Sequence, residues 1–245
     1  RRLFKTIVTG PAVFLCLASG AALALPAEAE AVAAKIVRPF DITEEREPCT
    51  DYVPTKRPLF GDLHVHTARS QDASTQGNRI SPREAYLFAR GESLGIQPYT
   101  EDGRPMRRVQ LARPLDFAAI TDHAEQIGEV HICNTPDSEG YGSLACRMYR
   151  SFPRVSFFVF NGRYSMFGSR WGFCGEDARL CYDAAGIVWK EHQTAAEEAY
   201  DRSASCEFTS LVAYEWTGAV NTGGHLHRNV VFRNENVPDL PISVM

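Results

Sequence analysis

The sequence predicts an α/β fold built on a parallel sheet, and three observations carry that expectation. An apolar alternation from about Leu59 to Val65 reads as a strand, and "ISPREAYLFARGE" (80–92) follows it as a helix. The next apolar run, Leu115 to Thr121 in "LDFAAITDH", has the composition that central parallel strands bury on both faces. Ionisable residues then recur just past the strand ends, the edge on which parallel α/β barrels assemble their sites.

With 245 residues, 44% hydrophobic and 23% charged, the chain is long and apolar enough for one large domain with its own core. The first 24 residues stand outside it. Arg1, Arg2 and Lys5 precede the run "IVTGPAVFLCLASGAALAL" and the small residues of "ALPAEAEA", the order of an export signal, with cleavage after Ala24 or Ala29. A retained membrane anchor is the competing reading, which Gly10, Pro11, Ser19 and Gly20 disfavour by weakening the apolar run. "RRLFK" also resembles the opening of a twin-arginine signal, which exports folded proteins. Removing residues 1–24 takes Lys+Arg from 26 to 23 against 30 acids, so the formal charge moves from −4 to −7. An acidic, exported product excludes nonspecific nucleic-acid binding and leaves a small molecule as the expected partner.

The six cysteines after the signal, Cys49, Cys133, Cys146, Cys174, Cys181 and Cys206, contain no CxxC pair. In an oxidising compartment their even number points to disulfides; unpaired buried thiols are the alternative. Proximity in sequence favours Cys133 with Cys146 and Cys174 with Cys181, leaving Cys49 to staple the N-terminal arm to Cys206.

Residues 25–57 carry Pro26, Pro39, Pro48 and Pro54 among charges and read as an extended arm. In the first helix Ser81 caps, Pro82 fits the first position, Glu84 completes a capping box and Gly91 ends it. From Ala124 to Tyr182 the pattern loosens into an aromatic, cysteine-bearing stretch, expected as a loop-rich lid over the barrel mouth or as a disulfide-braced surface excursion. "AAGIVWKEHQTAAEEAYDRSA" (184–204) is a second helix with Val188, Ala195, Ala196, Ala199 and Tyr200 inward and His192 exposed or partly packed. "CEFTSLVAYEWTG" (206–218) reads as a strand ending in an acid, and "HLHRNVVFRN" (225–234) as a fourth strand that begins with histidines.

The strand ends thus offer His64, His66 and Asp72, then Asp122 and His123, then Glu215, then His225 and His227. Imidazoles mixed with carboxylates suit zinc, manganese or iron, and one carboxylate can bridge two ions. That ligand mixture argues for metal-assisted hydrolysis.

"GDLHVHTARSQD" and "AITDHAE" resemble the first two motifs of the PHP superfamily of metal-dependent phosphoesterases, and "VAYEW" with "HLHRNVVF" resembles the third. The wording is closer still to an exported bacterial family of PHP-like proteins, domain of unknown function 3604. The resemblance spans about residues 58–245 and implies a PHP-type distorted (β/α)7 barrel, here its N-terminal part with the disulfide-braced insertion at about 124–182. It implies two or three divalent ions: His64 and His66 on the first, Glu215 bridging to a second, and His227, or His225 one register away, completing that second shell. Asp72 and His123 would hold a third, and Asp122 would orient the site from behind. The implied reaction is hydrolysis of a phosphate ester by a metal-bound hydroxide. Hydrolysis of another ester or amide, and a non-catalytic envelope module with structural metals, are the alternatives. Arg147, Arg150, Arg163 and Arg170 in the insertion are candidates to reach a substrate phosphate.

The chain departs from the PHP pattern in having no histidine after His227, where the superfamily places a last Asp-x-His motif. Four strands are counted where the barrel needs about seven units. The expectation is an N-terminal portion of a longer protein.

Overall fold

A computed structural model describes residues 45–53, 55–219 and 225–245. Residues 1–24, expected as an export signal, residues 25–44 of the expected arm and Pro54 lie outside the described residues.

The molecule is a mixed α/β protein with small sheets, several helices and three disulfides. Strand β1 (Gly61–Val65) pairs in parallel with β4 (Phe117–Ile120), and β4 pairs in parallel with β5 (Thr209–Leu211), giving the sheet order β1-β4-β5. The apolar run Leu115 to Thr121, expected at a sheet centre, supplies β4, and Ala118, Ala119, Ile120 and Thr121 are buried. β1 differs: apart from Val65 it is exposed, with Leu63 facing solvent, so its alternation does not mark a covered strand. Gly61 is required at its start, because a Cβ there would stand 2.3 Å from the Phe117 carbonyl oxygen across the pair.

Between the helix that follows β1 and β4 lies a hairpin absent from the four-strand expectation, β2 (Leu94–Tyr99) against β3 (Pro105–Val109). Its turn carries Asp102-Gly103, a dipeptide that favours tight reversal, with Gly103 at φ +82°. Pro98 and Pro105 mask the strands, since proline weakens a strand reading.

The last two strands also depart from a run of parallel units. "CEFTSLVAYEWTG" breaks at Val212 into β5 and β6 (Ala213–Ala219), and β6 pairs antiparallel with β7 (His225–Val231). Five residues separate Ala219 from His225, too few for the crossover of a dozen or more that a parallel return requires.

The helices are α1 (Gln71–Thr75), α2 (Pro82–Ala89), α3 (Ile127–Asn134), α4 (Leu144–Ser151), α5 (Pro153–Phe167) and α6 (Arg179–Ala199). α2 has the expected capping box, with Ser81 Oγ accepting the Glu84 N–H and Glu84 accepting the Ser81 N–H. Tyr86 locks α2 to the sheet: its hydroxyl donates to Leu211 O at 2.9 Å and accepts the Ile120 N–H at 3.3 Å. One core gathers Tyr86, Ile120, Trp189, Phe208 and Tyr214 between the helices and the strands.

The segment expected as loop-rich is instead mostly helical, supplying α3, α4 and α5. Those helices enclose a second core of Val130, Ile132, Tyr149 and Phe160 around Cys133–Cys146 and Cys174–Cys181. α3 and α6 approach so closely that a Cβ on Gly128 would fall 1.9 Å from Cys181 O. Cys49–Cys206 is the third disulfide, and the Glu47 and Thr50 amides donate to Arg202 O and Ala204 O beside it, so the described part of the arm is tied down at this point. Three disulfides are the chemistry of an oxidising compartment. Among the described residues no helix is long and apolar enough to cross a membrane.

Candidate metal centre

The alternation of β1 sends His64 and His66 to the same side, because side chains two apart in an extended chain share a face. Both rings meet Glu215, the third residue of β6 and only 1% exposed. Nε2 of His64 and Nε2 of His66 lie 2.9 Å and 2.7 Å from one oxygen, Oε2. The other, Oε1, contacts His227 Nδ1 and stands 3.9 Å from His123 Nδ1. Asp72, in the first turn of α1, places Oδ2 2.9 Å from His66 Nδ1 and 3.9 Å from His123 Nε2. The four rings form a row, with successive centroids 5.0, 4.8 and 5.2 Å apart.

Three overlapping groups of potential ligands result: His64 with His66 and Glu215; His66 with Asp72 and His123; His123 with Glu215 and His227. Within each group the ligand atoms lie within 4.8 Å of one another. The donors are imidazole nitrogens and carboxylate oxygens with no thiolate, which fits borderline divalent ions such as zinc, manganese or iron.

The electrostatics agree with that chemistry. Burial alone would push the Glu215 carboxyl up, but hydrogen bonds and charge from the surrounding imidazoles hold it down at about 2. Burial opposes ionisation of Asp72 too, and His66 outweighs it, holding the carboxyl well below its usual range. His66 is lowered by burial and raised by Asp72 and Glu215, and the carboxylates prevail, bringing it to about 10. His123 goes the other way: burial is the largest influence, and its pKa falls. The pocket therefore keeps both acids ionised and at least one ring with a free lone pair.

A fourth group, Glu129 with Cys174 and Cys181, is equally compact. Its sulfurs are spent in a disulfide, and Arg170 pairs with Glu129 at 2.8 Å, so it offers no ligands.

Behind the ligands sits a layer of positioning contacts. Thr217, directly opposite His227 in the β6–β7 register, brings Oγ1 to 2.8 Å from His123 Nδ1 and 3.3 Å from His227 Nδ1. Ser70 Oγ accepts the His123 N–H at 3.2 Å, and Asn78 donates to His66 O at 3.2 Å. Asp122 is fully buried and belongs to none of the ligand groups. Its carboxylate accepts the Thr67 N–H and hydroxyl and faces His192 Nε2 at 2.7 Å. His192 Nδ1 in turn faces Val188 O at 2.9 Å. A carboxylate and a carbonyl only accept, so the ring carries both protons, and His192 is an imidazolium buried behind the site. Burial works against that charge, and Asp122 overcomes it, so the His192 pKa is raised.

His192 corrects the expectation of an exposed or partly packed side chain: it is 3% exposed. Val188, His192, Ala195 and Ala199 share one helical stripe, a spacing that carries the signal. His225 joins no ligand group; two register positions before His227 on β7, it meets Ser165 Oγ at 3.1 Å. Glu215 lies within β6 rather than past a strand end, and there it is bridged in parallel to His123.

The insertion does reach the site. A cleft of about 340 Å³ runs from Asp72, His123 and His227 to the α5 side chains Phe157, Asn161 and Tyr164. The arginines nominated for a phosphate do not line it. Arg150 donates to Cys133 O and Tyr141 O, Arg163 donates to Arg170 O and stacks on Trp171, and Arg170 pairs with Glu129. All three brace the insertion, while Arg147 is exposed outside the cleft.

A family described as Protein of unknown function (DUF3604) matches residues 53–245. The chain belongs to this family. The match runs through all three ligand groups of this DUF3604 protein as well as its insertion and two local disulfides. No curated protein and no solved structure matches it.

Proposed function

We propose that this DUF3604 protein is an exported metal-dependent hydrolase, periplasmic or secreted, that cleaves a phosphate ester on a PHP-type barrel scaffold. The observation that carries the reading is Glu215, a buried carboxylate with two imidazoles on one oxygen and a third imidazole on the other. A bridging carboxylate between two ions needs that arrangement.

His64, His66 and Glu215 would hold one ion, Glu215 with His227 a second, and Asp72 with His123 a third. When bound, two or three divalent ions supply an acidified water and neutralise charge on the phosphoryl oxygens. The chain's own residues do the rest. Thr217 holds His123 at Nδ1, leaving Nε2 toward Asp72, and Asp72 orients His66 through Nδ1. Glu125 lines the cleft, and burial, opposed by the Thr217 N–H, raises its carboxyl to about 7, where it can hold a proton for a leaving group.

The cleft's lining favours a second reading. Among the described residues it contains no Lys or Arg, so the centre itself would have to recognise a phosphate, and an ester or amide of another acid fits the same chemistry. A panel of phosphomonoesters, phosphodiesters, sulfate esters and lactones separates the two. The proposal expects phosphate-ester turnover that chelation abolishes and manganese or zinc restores. Faster turnover of a lactone or sulfate ester than of any phosphate ester would overturn it.

A further inference from the structure

One side chain in the cleft is unexplained by the metal centre. Gln126, at the N-terminus of α3, is 4% exposed and held at φ +62°, a left-handed backbone that non-glycine residues rarely adopt. Its Nε2 donates to Phe160 O at 3.2 Å. Since that carbonyl only accepts, the amide orientation is fixed, and the Gln126 carbonyl oxygen Oε1 is left buried with no hydrogen-bond partner. An unpaired buried acceptor is costly, and strain of this kind persists where the surroundings impose it, often at ligand sites.

Its neighbours in the cleft extend the pattern. Gln71, also 4% exposed, and Asn161 are linked at 3.1 Å and both donate to Phe157 O. Phe157 and Tyr164 supply ring surface beside these amides. Among the described residues the lining has acids, amides and three imidazoles but no Lys or Arg, so away from the metal centre nothing with a fixed positive charge favours an anionic group. Two buried acceptors in the cleft are unpartnered, the neutral amide oxygen of Gln126 and Oε1 of Glu125, a carboxyl that burial pushes toward its neutral form. A hydroxyl needs one such acceptor, whereas a desolvated ammonium needs an ionised partner or several acceptors.

We infer that the cleft between the histidine row and α5 is a subsite for an uncharged, polyhydroxylated group, with Gln126 Oε1 accepting one of its hydroxyls and the Phe157 and Tyr164 rings against its carbon face. Its placement as the leaving-group half of a substrate rests on the hydrolase reading; the binding does not. A site built to pair a hydroxyl discriminates strongly against an analogue that lacks it.

The test uses glycerol, myo-inositol and methyl glucoside as probes, with propanol and choline as controls, by saturation-transfer NMR on the metal-free protein. Saturation transfer to at least one hydroxylated probe, and to neither control, is expected. Gln126→Gly suits the left-handed backbone and should fold while losing most of that transfer, and Asn161→Ala should weaken it. No transfer to any hydroxylated probe, equal transfer to choline, or full transfer in Gln126→Gly would overturn the inference. In the metal-loaded protein, glycerol phosphate should be cleaved at least about tenfold more efficiently than propyl phosphate. Probe binding without turnover of either ester would support the subsite and count against the hydrolase reading alone.

Discussion

On the strand side of the cleft, four histidines crowd two carboxylates, and each side chain is held by charge and hydrogen bonds. On the helical side, α3, α4 and α5 close around two disulfides, Tyr149 and Phe160, and are held by covalent links and apolar packing. On the proposed reading the first side exchanges protons for metal, which makes it pH-sensitive. The second must present the cleft wall unchanged whatever occupies the centre. A binding site with mobile chemistry needs a rigid neighbour, and here that neighbour is an insertion with a core of its own.

The contrast can be broken most severely through the long disulfide. In the loop-closure account, Cys49–Cys206, spanning 157 residues, restricts the unfolded chain by about 5 kcal/mol, against about 3 and about 2.5 kcal/mol for the 13- and 7-residue links. Double Cys→Ala variants should therefore lose stability in that order by denaturant titration. Within the insertion, Arg170→Met leaves Glu129 buried and unpaired and should cost about 3–5 kcal/mol, whereas adding Glu129→Leu should recover much of it.

On the charged side the expected effects are read in metal affinity. Thr217→Val frees His123 from the contact that orients its ring and should weaken metal binding about 10- to 100-fold with little change in folding. The pH dependence is smaller but has a definite sign. His66 is raised from 6.5 to about 10 in the metal-free protein, so its contribution to stability is full below about 6.5 and fades as pH rises through about 10. Metal must displace that proton, so affinity should climb by up to about tenfold per pH unit between pH 6 and pH 8 in a zinc or manganese titration. A flat profile would mean that His66 is not a ligand.

Legibility in the sequence divides along the same line. The histidine row was readable because HxH, TDH, a strand-borne Glu and a second HxH are local patterns whose chemistry survives errors in strand boundaries. The capping box at Ser81 and Glu84, and the disulfide pairing, were readable for the same reason, since each depends on short spacing or on elimination. The helical side was not. α3 is buried on most sides yet carries Glu129, His131 and Asn134 among its eight residues, and it begins at a left-handed Gln126 without a side-chain cap; α5 starts behind Pro153 with aromatics on several faces, so neither shows a clean helical stripe. The β2–β3 hairpin hid behind its prolines, and the antiparallel return of β7 was decided by a five-residue link rather than by any feature of the strands. His192 had the spacing of a core residue, but its chemistry argued for the surface until Asp122 was seen to supply the counter-charge.

The central claim is that Glu215 joins at least two metal ions. Elemental analysis of the purified protein after exchange into zinc or manganese tests it most directly, alongside Glu215→Gln. The account predicts two to three ions per chain in the native protein and fewer than one in the variant, with the variant's fold retained by circular dichroism. Less than one ion per chain in the native protein, or an unchanged metal content in Glu215→Gln, would contradict it.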